Sequence, residues 1–227
     1  LVDKGDRIIA VLGGVTPGSE GEDWEDTAGQ AQDAVHDFRL QSSFTASQCH
    51  GRRGDFAYRT VGFGYGNGRK QPLNYRVNGE ANQRAVGELL ENAAIRRIAG
   101  FQKSIFNCYA YKTYVEYLAT NEELLTRHPH LRPNFPDTPY AALTVNAGHQ
   151  SYSPPHNDSD NVVHGWCADT ALGQFALGQF ALGQFDPDKG GHLVLWDLGF
   201  RSRQHCADKN QLKGIHRTFR APDSAAD

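Results

Sequence analysis

His156 and Asp158 stand two residues apart in the run Ser153-Pro-Pro-His-Asn-Asp158, at the end of a segment rich in strand-forming residues. In extended backbone, side chains two apart point to the same side. An imidazole and a carboxylate on one face supply two corners of the 2-His-1-carboxylate arrangement that holds Fe(II) and leaves positions open for a co-substrate and oxygen. A third ligand must come from elsewhere in the chain. The other histidines have plainer readings. His128-Pro-His130 has a metal-compatible spacing but follows a helix near prolines, which makes a solvated turn the better reading. His36 and His50 read as helix or loop surface, and His164 and His192 as satisfied strand residues. No serine nucleophile elbow and no zinc-ribbon spacing is present.

The elements that must position this pair follow from periodicity. Arg7 to Leu12 reads as a short strand or helix end, closed by Gly13-Gly14. Trp24, Ala28, Ala31, Ala34, Val35 and Phe38 recur at helical spacing, with acids near the start to suit the helix dipole. Val61-Gly-Phe-Gly-Tyr-Gly-Asn-Gly68 alternates glycine with larger residues. No lysine–serine/threonine pair follows it, so a glycine-rich strand or surface loop is expected rather than a phosphate cradle. Helices are expected over 81–99 and from Phe101 to about Arg127, where Pro129 and Pro133 stop the second. Tyr109, Tyr111, Tyr114 and Tyr117 are read as an aromatic core cluster on that helix.

From Tyr140 the texture turns to β: Tyr140 to Asn146, Val162 to Thr170, and His192 to Leu198, separated by polar turns. The expected fold is therefore α+β, with helices buttressing a β-sandwich or jelly roll. Ala-Leu-Gly-Gln-Phe occurs three times in tandem over 171–185. Two extra copies add an even number of residues, so the strand that follows keeps its facing. The insertion reads as an elongated hairpin or bulged loop of replicative origin.

Bulk properties set the frame. The chain has 227 residues with 39% apolar content, enough for one sizeable domain with a hydrophobic core. No apolar run approaches the ~20 residues of a membrane span, and no signal-peptide pattern opens the chain. Cys49, Cys108, Cys167 and Cys206 are scattered without a disulfide or C-x-x-C pattern, which points to a reducing nuclear or cytoplasmic setting. There is no methionine, so the chain is expected to be a fragment or a processed product. A net charge of -3 gives no global electrostatic case for nucleic acid. Charge is nonetheless uneven: residues 19–37 carry only acids, whereas 201–220 carry six Lys or Arg against Asp208. A solvated helix face and a polar tail account for both.

The context of the His-x-Asp pair carries a resemblance. The runs are Tyr140-Ala-Ala-Leu-Thr-Val-Asn146-Ala-Gly148, His156-Asn-Asp158-Ser-Asp-Asn161, Gly165-Trp-Cys167 and Phe185-Asp-Pro-Asp-Lys-Gly-Gly-His-Leu-Val-Leu-Trp-Asp-Leu198. Upstream stand Arg52-Arg-Gly54, Gly64-Tyr-Gly-Asn-Gly68, Arg96-Arg-Ile-Ala-Gly-Phe101 and Leu131-Arg-Pro-Asn-Phe-Pro136. Together they resemble the fungal TET/JBP-like 2-oxoglutarate- and Fe(II)-dependent dioxygenases over roughly residues 7–199. The resemblance implies a double-stranded β-helix with helices outside it. It also implies oxidative decarboxylation of 2-oxoglutarate to succinate, coupled to hydroxylation of a C–H bond. Within the family the substrate is the methyl group of a pyrimidine in nucleic acid, reached by flipping the base out of the duplex. His156 and Asp158 match the metal pair. Asn146 falls where relatives place a side chain near 2-oxoglutarate, and a strand-end asparagine capping a turn is the alternative. Asn161 and Trp166 would support the site or the core.

The chain departs from that pattern after Leu198, where the family continues through strands that bear a distal histidine and then an arginine for the far carboxylate of 2-oxoglutarate. Residues 199–227 read instead as a basic tail of little β character. His205 and His216 are the only histidines there, with His216 the better third ligand, and Arg217 or Arg220 are the arginines offered by proximity. The expected organisation is one domain: a helical and glycine-rich part over 1–135, a partial jelly-roll core over 136–200, and a disordered or aberrant tail over 201–227. Two functional readings follow. One is a TET/JBP-like dioxygenase that uses Fe(II) and 2-oxoglutarate. The other is an inactive remnant or incomplete gene product acting at most as a binding module.

Overall fold

The computed structural model describes residues 1–13, 24–51, 54–66, 68–148, 151, 153–154, 162, 164–172, 194–195, 200–201 and 213–217. Helix α1 (Trp24–Gln41) carries Glu25 and Asp26 in its first turn and Arg39 in its last, each favourable to the helix dipole. It buries Trp24, Thr27, Ala28, Ala31 and Phe38, one stripe at steps of three and four as its sequence dictates. A single turn, α2 (Ala46–Cys49), leads to the first sheet.

The stretch expected to form two helices forms three: α3 (Glu80–Glu91), α4 (Ala93–Tyr109) and α5 (Tyr111–Arg127). The breaks fall at Asn92 and Ala110, while Gly100, the expected boundary, is interior to α4. Asn92 makes the first break by accepting hydrogen bonds on its side chain from the Ala94 and Ile95 N–H groups at 3.0 and 3.2 Å. Those donors have no partner inside the helix, and such a cap is worth about 1 kcal/mol. Helix α4 runs through Gly100 because Ala94, Ile98, Ile105 and Phe106 share one buried face. At Ala110 the backbone leaves helical geometry (φ -139°, ψ 45°). That break divides the expected tyrosine cluster: Tyr114 is buried, whereas Tyr109 and Tyr111, at the helix ends, are 54% and 63% exposed.

Two three-stranded antiparallel sheets form among the described residues. In the first, β2 (Tyr58–Gly64) lies between β3 (Leu73–Asn74) and β4 (Ala142–Asn146). Burial alternates along β2, with Arg59, Val61 and Phe63 inward. Gly62 stands at φ +95°, where a Cβ would meet the Ala141 carbonyl, so only glycine fits. In the second sheet, β8 (Lys213–Arg217) is central between β1 (Ala10–Leu12) and β5 (Trp166–Thr170). A separate pair joins β6 (Val194–Leu195) to β7 (Phe200–Arg201).

β8 lies within 201–227, the segment read from sequence as a basic tail of little β character. Its pairing on both sides, with Ala10–Leu12 and with Trp166–Thr170, makes it a strand despite a single apolar residue, Ile215. β5 is shorter than expected because the chain turns just before it. The Gly165 N–H donates to the Val162 carbonyl at 2.7 Å, and the Trp166 N–H to the Tyr117 hydroxyl at 3.1 Å.

The helices join the two sheets. Phe38, Ala85 and Leu89 of α1 and α3 pack with Ala147 and Val145 beside the first sheet. Trp24 and Ala31 pack on Ala94 and Ile98, locking α1 to α4. Ile105, Phe106 and Tyr114 then meet Val11 and Trp166 of the second sheet. Phe106 is fully buried, edge-on to Tyr114 and Tyr117 and stacked on Tyr140 at 5.6 Å. The fold is α+β.

Candidate functional site

Asn146 is the last residue of β4, and its side chain is exposed. Register decides its neighbours. Tyr58 lies opposite Asn146 and Thr60 opposite Thr144, with the two threonine hydroxyls 3.0 Å apart. Residues directly opposite in an antiparallel pair share a face. Tyr58, Thr60, Thr144 and Asn146 therefore form one polar face of the sheet. The other face, with Arg59 opposite Val145 and Val61 opposite Leu143, is the one that packs on helices. After Asn146 the chain is pinned by the Ala147 N–H, which donates to the Ala57 carbonyl at 2.7 Å. His156 follows ten residues after Asn146 in the chain.

His156, Asp158, Asn161, His205 and Arg220 lie outside the described residues, as does most of the Ala-Leu-Gly-Gln-Phe repeat. His216 and Arg217 are on β8, where His216 pairs in register with Ala10 on one side and Cys167 on the other, and Arg217 with Trp166. Trp166 is a core residue, 6% exposed against Val11, Ile105, Phe106 and Tyr114. Among the described residues no group of three His, Cys, Asp or Glu could hold a metal ion. His128 and His130 meet edge-on at 5.8 Å between ring centres. His50 pairs with Asp55 at 3.1 Å and His164 with Glu116 at 3.2 Å, exposed contacts of small energetic value.

Two buried polar groups went unread in the sequence. Arg59 is 4% exposed; its Nη2 donates to the Ser43 carbonyl at 2.6 Å and its guanidinium lies 5.1 Å from the Phe44 ring centre. Burial draws its pKa below the ordinary arginine value. The alternation Arg59-x-Val61-x-Phe63 was the available signal, because it sets a cation on an apolar face. Tyr140 is the second. Its hydroxyl is buried without a partner among the described residues, and burial, reinforced by Cys167, Tyr117 and Asp169, drives its pKa far above the ordinary phenol value. Burial also raises Tyr117, opposed by the hydrogen bond from the Trp166 backbone.

Comparison with protein families, with curated proteins and with solved structures gives no match for this chain. Among the described residues no helix is long and apolar enough to cross a membrane.

Proposed function

We propose that the chain is a TET/JBP-like non-haem Fe(II)/2-oxoglutarate-dependent dioxygenase built on a partial jelly roll. The observation that carries this reading is the His156-x-Asp158 pair in its extended matching context. An α+β fold whose β2–β4 sheet packs helices on one face and keeps a polar face on the other supports it. In this reading His156, Asp158 and His216 hold Fe(II), a donor set of two imidazoles and one carboxylate suited to that ion. Asn146 borders the co-substrate, and Arg217 or Arg220 pairs with the far carboxylate of 2-oxoglutarate through a planar fork. When bound, the iron supplies the oxygen chemistry that turns 2-oxoglutarate, O2 and a C–H bond into succinate, CO2 and an alcohol. The substrate proposed is a methylated pyrimidine in nucleic acid.

Succinate formation from 2-oxoglutarate with added Fe(II) tests the reading. Asp158→Ala is expected to lower it by more than the roughly 10–100-fold cost of losing an outer hydrogen-bond partner of a metal ligand. His216→Ala should fall equally if that residue is the third ligand. Equal succinate from wild type and Asp158→Ala sinks the catalytic reading and leaves a non-catalytic remnant.

A further inference from the structure

Among the described residues, the β2–β3 hairpin is a charged feature that lies outside the proposed centre. Residues 56–79 contain no Asp or Glu, yet they carry Arg59, Arg69, Lys70 and Arg76 in a chain whose net charge is -3. Arg59 is buried, so three cations remain on the hairpin itself. A fourth is added by a neighbouring loop. The Asn74 side chain donates to the His130 carbonyl and accepts from the Arg132 N–H, both at 2.8 Å, which docks the 130–132 loop against β3.

These cations differ in how they are held. Arg69 lies 4.8 Å from the Tyr75 ring centre, and Arg132 donates to the Pro129 and Leu131 carbonyls at 2.7 and 3.1 Å. Neither contact brings a negative charge to the guanidinium. Lys70 and Arg76 are exposed, and among the described residues no ion pair engages any of the four. Tyr65 stands between Gly64 and Gly66 and is 65% exposed. Gly66 and Gly68 adopt φ of +105° and +78°, turn geometry that glycine tolerates.

A solvated turn needs neither a held arginine nor an exposed aromatic ring on the same hairpin. Cations together with an exposed aromatic ring fit a strand of nucleic acid, with phosphates on the charges and an unpaired base on the ring. We infer that the β2–β3 hairpin, with Arg132, binds single-stranded or locally unpaired nucleic acid, Tyr65 stacking on a base and Arg69, Lys70, Arg76 and Arg132 facing phosphates. This deepens the nucleic-acid part of the proposed function and rests on that reading for the use made of the bound strand. Binding itself requires no iron and no 2-oxoglutarate.

The test is fluorescence anisotropy of the full chain with a labelled twelve-nucleotide oligothymidylate, without metal or co-substrate, over a range of salt. Affinity should fall with salt at a slope of about -0.7 per phosphate contacted on a single strand. Arg76→Ala should flatten that slope by about one contact's share, and Lys70→Glu with Arg76→Glu should abolish binding while circular dichroism stays unchanged. Tyr65→Ala should weaken binding about fivefold or more and leave the slope intact. Salt-insensitive binding, binding retained in the double charge reversal, or tighter adsorption to phosphatidylserine vesicles than to the oligonucleotide would overturn the inference. Binding without succinate formation removes catalysis alone; succinate formation without binding removes the hairpin surface alone.

Discussion

The two three-stranded sheets reach their pairing by different routes. β2 pairs with β3 through a hairpin and with β4 after three helices, and its alternating inward and outward residues settle which face packs. β8 takes its place from its neighbours: it lies between β1 and β5, with a ladder on each side and few apolar residues of its own. One sheet is thus specified by side-chain pattern, the other by backbone pairing over a core assembled from α4 and α5. The contrast teaches where each is vulnerable. The β1–β8–β5 sheet should depend on the cluster around Phe106, and the β3–β2–β4 sheet on the backbone geometry of β2.

The sharpest test of that contrast is Phe106→Ala. Loss of a fully buried ring should cost about 3–5 kcal/mol in urea unfolding. Amides of Trp166–Thr170 should then exchange faster than those of Tyr58–Gly64; equal loss in both would make the sheets one cooperative unit. Gly62→Ala probes the other sheet. A strained positive φ and overpacking against Ala141, roughly 1–3 kcal/mol each, should loosen β2 and β4 first. Unchanged exchange at the Phe63 amide, which donates to the Ala141 carbonyl at 3.0 Å, would show that β2 adapts and blur the distinction.

Tyr140→Phe is the smallest expected change and has the opposite sign. Removing a buried hydroxyl that has no partner should stabilise by about 1 kcal/mol. It also has a pH signature. The folded phenol holds its proton above the ordinary value of 10.0, so the folded state binds more protons than the unfolded state once pH passes that value. Stability is whole below pH 10 and falls as pH rises beyond it. Tyr140→Phe should make that alkaline fall shallower, read by unfolding midpoints at successive pH; an unchanged fall would assign it to Tyr114 and Tyr117, also raised by burial.

Much of the helical layer was legible. The stripe from Trp24 to Phe38 identifies both α1 and its buried residues, because burial there follows a local period of 3.6. The break at Asn92 was not, since a one-residue junction capped by an asparagine looks like one more polar helix position. β4 was read to its last residue, Asn146, whereas β8 was invisible because Lys-Gly-Ile-His-Arg has no strand pattern until partners flank it. For the site, local spacing identifies the His156–Asp158 pair and the placement of Asn146 at a strand end. The third ligand proposed, His216, lies on β8, whose place depends on long-range pairing that no local pattern encodes. Arg59 escaped for the reverse reason: its position in the alternation was readable, but a cation on an apolar face is an uncommon solution.

The central position of β8 also has a consequence in time. On a ribosome, β1 emerges early and meets its partner strand only after roughly two hundred further residues have been made. Until then the edges of the three-residue β1 and, later, of β5 that pair with β8 lack that partner. Pairings so distant in sequence are slow to form, and open edges invite foreign strands in the interval. Yield of folded protein should therefore be governed by how quickly β8 arrives, and slower synthesis through 172–212 would lengthen the vulnerable period.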